Sequence, residues 1–386
     1  MESTCPHSGG PLYKGPVEIQ DIEDTVGCKK ELHLICPWHA YRFSVETGKS
    51  VDDDIFETAV FGVVLEDDKV YLDYEFTEKL EIKFISVPNY KRDTKLETHD
   101  EQVSDLTDKF ASVDVSGKTL VECAVQILNT PDPTEKVELT KLVASKWEAG
   151  ELKVGNAIPV PDRPARHAEL QIVDRWKTKK IGKGGSVQSR IAILHALANV
   201  EQWAIDLAWD IIARFCNNTF NDEKLPDDFC TDFVQVAKEE ATHFTFLVER
   251  IKDLGSYYGA LPVHDGLWDS ATLTSANLLD RLAIVHMVHE ARGLDVNPST
   301  IAKFKKANDH ESVVKLEKIH NDEVGHVYRG QKWFTFICGK TGIDRYEKFH
   351  HIVKNLFFGP LRPPFNAEDR LKAGLDAKFY EPMAEY

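Results

Sequence analysis

Two Glu-x-x-His motifs, Glu240/His243 and Glu323/His326, each follow a lone upstream glutamate, Glu201 and Glu290. All four carboxylates fall where a helix would aim them into an apolar core. In a helix predicted over 187–218, Leu194, Ala198, Glu201, Ile205, Ala208 and Ile212 keep the alternating 3/4 spacing of one buried seam. A second, over 226–255, places Phe233, Ala237, Glu240, Phe244, Leu247 and Ile251 in register, with His243 beside Glu240. A third, over 272–294, gives Leu279, Ala283, His286 and Glu290; a fourth, over 310–340, gives Leu316, Ile319, Glu323, His326 and Phe334. An unpaired carboxylate in a core costs several kcal/mol, so four can converge only around a counter-charge. Four glutamates carry −4, neutral imidazoles add nothing, and two divalent cations restore zero. Residues i and i+3 share a helix face, so each Glu and His pair can reach one ion. A single Glu-x-x-His would read as an exposed or salt-bridged face; four seams carrying the full set favour metal.

The rest of the chain sets this core in context. Its 386 residues allow two or three domains, and 42% hydrophobic with 28% charged residues is ordinary for a soluble globular protein. A net charge of −16 without a Lys/Arg-rich stretch excludes nucleic acid and anionic membrane surfaces as expected partners. Seven scattered cysteines predict no disulfide framework. The N-terminus lacks a basic-then-apolar leader and no apolar run could span a bilayer, so the expected location is cytoplasmic. Residues 1–88 read as β-rich, 89–110 as a polar linker, 111–340 as the helical bundle and 341–386 as a C-terminal extension with a short helix near 345–356. Shorter helical patterns precede Pro131-Asp132-Pro133 and span 135–147, and Pro159, Pro161 and Pro164 mark an extended loop. Pro226 suits the start of the second long helix, Gly255 its end, and Gly339 the end of the fourth.

A second ligand set lies in the β-rich part. Cys5-Pro6-His7 and Cys36-Pro37-Trp38-His39 offer two thiolates and two imidazoles, the donors of a Rieske [2Fe–2S] centre, with a Cys₂His₂ zinc site as the alternative. Cys5-Pro6-His7-Ser8-Gly9-Gly10-Pro11-Leu12 and Cys36-Pro37-Trp38-His39-Ala40-Tyr41-Arg42-Phe43 resemble soluble Rieske ferredoxins. The resemblance implies that Cys5, His7, Cys36 and His39 hold the cluster. High-potential relatives carry a disulfide between the two loops and a tyrosine near the cluster. Gly10, Trp38 and Phe43 stand at those places here, which implies the low end of the potential range. Only four residues precede Cys5 and 28 separate His7 from Cys36, so N-terminal strands are expected to be missing. Cys28 reads as a structural thiol.

From about Ser116 to Phe336 the chain resembles the family catalogued as domain of unknown function 455. The matching segments include Pro131-Asp132-Pro133 with Glu135-Lys136-Val137, Pro161-Asp162-Arg163-Pro164, Glu240-Ala241-Thr242-His243-Phe244 and Tyr258-Gly259 with Leu261-Pro262. They continue through His264-Asp265-Gly266-Leu267-Trp268, Glu290-Ala291-Arg292-Gly293-Leu294-Asp295 and Asp322-Glu323-Val324-Gly325-His326-Val327. The resemblance implies a ferritin-like bundle but brings no settled reaction. Asn199 departs from it, standing where a histidine is expected two residues before Glu201. Two lone glutamates with two Glu-x-x-His motifs are the ligand set of ferritin-like di-iron bundles, and the same ligands suit a mixed Fe/Mn pair. Glu239 and Asp322 are placed to orient the histidines. His286, His289 and His320 lie near the seams as core or supporting residues rather than ligands.

The expected protein is therefore multidomain α+β: a small β-rich Rieske domain followed by a ferritin-like helical bundle. Its expected function is that of a di-iron, O₂-activating oxidoreductase, a hydroxylase or related oxygenase. Electrons would arrive one at a time through the cluster from an external NAD(P)H-linked reductase and act on a small-molecule substrate. Glu201, Glu240, His243, Glu290, Glu323 and His326 would hold the irons. Fusing donor and acceptor raises their effective concentration. A ferroxidase or iron-handling protein, and a non-enzymatic metal-stabilised interaction module, are the alternatives; a homo-oligomer is compatible with each.

Overall fold

A computed structural model describes residues 17–24, 27–35, 42–51, 62–66, 69–73, 81–82, 115–174, 181–357 and 361–384. Cys5, His7, Cys36 and His39, with the 89–110 segment, lie outside the described residues. The N-terminal part contributes two small antiparallel sheets. One orders β1 (Val17–Asp24), β2 (Gly27–Ile35) and β3 (Arg42–Ser44); the other orders β4 (Gly62–Glu66), β5 (Lys69–Asp73) and β6 (Glu81–Ile82). Leu34 pairs with both Val17 and Phe43, and Phe43 is fully buried.

The remainder is helical. The short helices α1 (Leu120–Leu128) and α2 (Pro133–Glu148) lead into α3 (Val187–Phe215). Thr119 and Glu122 form a reciprocal capping box on α1, and Asp132 caps α2 by accepting from Thr134 and Glu135. A hairpin of β7 (Thr219–Phe220) and β8 (Glu223–Lys224) turns the chain into α4 (Asp227–Asp253), which begins after Pro226 with two aspartates in its first turn. This turn-back brings the end of α3 against the start of α4, and Cys216 and Cys230 are joined there by a disulfide, with Cα atoms 6.1 Å apart. The scattered cysteines hid that pairing, because only the hairpin makes it local.

After α5 (Gly266–Leu273), the third long helix is longer than its sequence pattern implied. It starts as α6 (Leu278–Arg281), passes through a π-helical segment at Leu282–His289, and continues as α7 (Glu290–Lys306) with Pro298 inside it. Proline removes the N–H that would bond Leu294 four residues back. Asn366 supplies a substitute, its side-chain amide donating to the Leu294 carbonyl at 3.2 Å. The fourth, α8 (His310–Thr341), is capped by Asp309 and stops at Gly342, whose φ of 69° is left-handed, rather than at Gly339. Helix α8 crosses the π-helical segment closely, since a Cβ on Gly330 would lie 2.5 Å from the His286 carbonyl oxygen.

Helices α9 (Arg345–Leu356), α10 (Ala367–Lys372) and α11 (Ala377–Tyr380), followed by a 3₁₀ turn at Glu381–Met383, complete the chain's described helices. Phe349, Ile352, Leu375 and Phe379 join one continuous core with α1–α4 and α6–α8, so the segment expected as an extension shares the bundle's interior. No helix among the described residues is long and apolar enough to cross a membrane.

Candidate metal centre

The four seams are buried as their periodicity predicts, except that Glu290 at the end of the third is half-buried. On α3, Leu194, Ala198, Glu201, Ile205, Ala208 and Ile212 are all buried; on α4, so are Phe233, Ala237, Glu240, Phe244, Leu247 and Ile251. The six charged residues of the seams converge into two groups. Glu201, Glu240, His243 and Glu323 form one; Glu240, Glu290, Glu323 and His326 form the other. Within each group the ligating atoms lie within 4.8 Å of one another. Glu240 and Glu323 belong to both, so each group has one private glutamate and one private histidine.

The histidines are aimed by carboxylates from the opposite helix. His243 on α4 sets its Nε2 3.0 Å from Asp322 Oδ2 on α8, while His326 on α8 sets its Nε2 2.9 Å from Glu239 Oε2 on α4. Each acidic residue thus precedes one shared glutamate in sequence but serves the histidine across the interface. With Nε2 committed, Nδ1 faces the glutamates. His243 Nδ1 is 3.3 Å from Glu240 and 3.6 Å from Glu201, and His326 Nδ1 is 3.0 Å from Glu240 and 3.6 Å from Glu323. Glu240 Oε1 and His326 Nδ1 are buried against each other at 3.0 Å, as an ion pair rather than a well-aligned hydrogen bond.

Protonation tells the same story. Burial, and then the neighbouring Glu240, push the Glu201 carboxyl well above the ordinary range; burial, Glu323 and Glu240 do so for Glu290. Burial alone would depress the His243 imidazolium, but hydrogen bonds to Asp322, Glu201 and Glu240 prevail and lift it to about 12. His326 is likewise raised, with Glu240, Glu323 and Glu239 outweighing burial. Glu240 is held well below the usual range, since His326 and the hydrogen bonds of Glu201 and His243 overcome its burial. The upward shifts of Glu201, Glu290, His243 and His326 favour added positive charge at the centre, in the same sense as bound divalent ions. The donor set and its charge fit a pair of divalent metals.

The other histidines do not join either group. His286 packs edge-on to Phe233 at 4.8 Å, and burial pushes it down to about 3. His289 meets Ser270 at 2.8 Å and His320 meets Asp369 at 3.0 Å. Asn199 faces away from Glu201's partners, donating to the His264 carbonyl at 2.9 Å.

A second polar layer, which periodicity alone did not reveal, lines another face of α3. Asp206 is fully buried between Lys136, at 2.5 Å, and Arg166, at 3.3 Å, while Arg166 lies flat over Trp203, 3.3 Å from the ring centre. One turn on, Asp210 pairs with Arg281 at 2.5 Å and Arg214 at 2.8 Å. Tyr258 donates to Gln202 at 2.7 Å, Trp268 donates to the Asp162 carbonyl at 3.0 Å, and Arg163 pairs with Asp265. Many motif residues that carried the family resemblance therefore build this layer rather than the metal centre.

Comparison with known proteins agrees with both halves of this layout. Residues 129–381 match the family model described as "Protein of unknown function (DUF455)", and residues 1–59 match that of the Rieske [2Fe-2S] domain. The chain belongs to the DUF455 family. An uncharacterised protein of Haemophilus influenzae is 37% identical over 185 residues, covering 47% of this chain and 64% of the relative. A human Rieske domain-containing protein is 40% identical over 57 residues, 14% of this chain and 30% of the relative. The chain thus spans less than two thirds of either relative's length. No solved structure matches. The Rieske domain points to iron–sulfur binding and electron transfer with redox partners.

The raised groups give a pH prediction for the metal-free chain. A histidine lifted from about 6.5 contributes stability that is complete below that value and is lost as pH climbs toward the folded-state value. For His243 the window runs from about 6.5 to about 12. Metal replaces those protons, so its binding strengthens as pH rises. Calorimetry should show the melting temperatures of loaded and metal-free protein diverging as pH increases above about 6.5. Parallel curves would show that these groups do not carry the protons in question.

Proposed function

We propose that this chain is a di-iron, O₂-activating oxidoreductase of the hydroxylase or related oxygenase type, supplied with electrons through its Rieske domain. The observation that carries the reading is the sharing of Glu240 and Glu323 between two ligand groups that are otherwise private. Glu201 and His243 would complete one position, and Glu290 and His326 the other, in a ferritin-like arrangement. Bound there, a ferrous pair or a mixed iron–manganese pair supplies electrons for the reduction of O₂ beside an organic substrate. Asp322 and Glu239 fix the histidine tautomers so that both Nδ1 atoms stay available. The apolar seams exclude water from the centre. Cys5, His7, Cys36 and His39 would hold the cluster, with an external NAD(P)H-linked reductase upstream and a small-molecule substrate at the bundle.

The test is anaerobic loading with ferrous iron followed by exposure to O₂. The expected result is two irons per chain that are oxidised by O₂ and then, once an NAD(P)H-linked reductase and NAD(P)H are added as the electron source, reduced again in place through the Rieske cluster. Replacing His39 should abolish that re-reduction without changing iron content in the bundle. A chain that does not bind two irons sinks the proposal. Ferric iron that leaves the protein instead of being re-reduced would favour the ferroxidase reading.

A further inference from the structure

One cavity among the described residues touches a candidate ligand. It lies between α3, α7 and α8, and Glu201 is one of the residues that line it. Leu197 lies one turn before Glu201 on α3, and Leu316 and Ile319 share a face of α8. Helix α7 contributes Asn297, Thr300 and Ile301 from the turn that contains Pro298. Measured to the centre of a water-sized molecule, the volume is about 10 Å³, which is room for one such molecule. Leu197 and Asn297 are half-buried, whereas Ile301, Leu316 and Ile319 are buried, so the cavity runs inward from the surface.

The opposite side of the centre is closed differently. There His243 and His326 back onto Asp322 and Glu239, which are in turn bonded by Lys318 and Arg329. Charged pairs of that kind repel an apolar solute, because displacing them leaves buried charge unmatched. The α3–α7–α8 cavity instead offers four aliphatic side chains and a direct approach to a ligand carboxylate. We propose that this cavity is the access route and waiting site for a small apolar gas, dioxygen, with Ile301 setting its width. The proposal rests on the di-iron reading above.

The full-length chain, loaded anaerobically with two ferrous ions, is mixed with O₂ in a stopped-flow instrument. In that reaction O₂ gains two electrons, one from each ferrous ion. Ile301→Phe fills the cavity from α7 and leaves all six candidate ligands in the sequence. It should keep its iron, lose roughly tenfold or more in the rate of oxidation by O₂, and keep its rate with ferricyanide, which takes electrons from outside. A variant with full iron and the wild-type O₂ rate overturns the proposal. If the wild-type chain binds iron but does not react with O₂, the functional reading fails first, and a second measurement judges the cavity alone. In the zinc-loaded wild-type chain under O₂ pressure, the methyls of Leu197, Ile301, Leu316 and Ile319 should relax faster than those of the buried Ile127 and Ile337, because dissolved O₂ is paramagnetic. Equal relaxation, as a cavity holding only water would give, overturns the proposal; the same measurement decides the matter if Ile301→Phe fails to fold.

Discussion

Glu240→Gln is expected to empty both metal positions, whereas Glu201→Gln should empty one. The two carboxylates are chemically alike and lie on neighbouring helices, but Glu240 belongs to both ligand groups and Glu201 to one. Losing Glu240 removes an anionic ligand from each position and leaves His326 Nδ1, 3.0 Å away, without its nearest carboxylate. Losing Glu201 leaves the Glu240, Glu290, Glu323 and His326 group whole. Elemental analysis should therefore read about two ions per chain in the wild type, about none in Glu240→Gln and about one in Glu201→Gln. Glu323→Gln should behave like Glu240→Gln, and Glu290→Gln like Glu201→Gln. The glutamine keeps side-chain volume, so a collapsed core does not confuse the outcome. Equal occupancy across the four variants would mean that no glutamate is shared.

The largest effect on stability should come from Asp206, which belongs to neither ligand group. It is the single carboxylate between Lys136 and Arg166, and the Lys136 and Asp206 side chains are fully shielded from solvent. Burial, opposed by Asp206 and reinforced by Arg166, already pushes the Lys136 ammonium below its usual value. Asp206→Asn would leave two buried cations facing each other. Breaking a buried pair from one side costs about 3–5 kcal/mol, or on the order of 10 °C in melting temperature for a domain of this size. Lys136→Met should cost far less, since it removes the surplus cation and leaves Arg166 matched to Asp206. Thermal melting of the two variants decides the point. If Asp206→Asn melts with the wild type, the cluster is not held by its charge.

The ligand seams were legible because burial and helical period agree there. Every apolar neighbour of Glu201 and Glu240 on its stripe is in the core, so spacing alone located the carboxylates. The third helix was less legible, because Pro298 reads as a breaker and its compensation by Asn366 is a contact 68 positions away in a loop. No local rule announces the π-helical turn at Leu282–His289 either. The second polar layer escaped for another reason. His195, Asn199, Gln202, Asp206 and Asp210 follow helical spacing as faithfully as the apolar seam does. A helix buried on several faces carries overlapping stripes, and hydrophobicity marks only one of them. Of the two expected ligand sets, the four-helix one is thus described atom by atom, whereas Cys5, His7, Cys36 and His39 lie outside the described residues.

The repair at Pro298 bears on the order in which the protein can be made. Helix α7 carries Glu290, yet the carbonyl that proline strands on it is met by Asn366, and Asp295 on the same helix is gripped by Arg370 at 2.6 Å. Both helpers are translated after all six candidate ligands have left the ribosome's catalytic centre. A nascent chain that stops short of Asn366 holds the complete ligand inventory without the clasp that finishes its third helix. The third helix therefore gains its last supporting contacts only once residues 366–370 are present, after every candidate ligand.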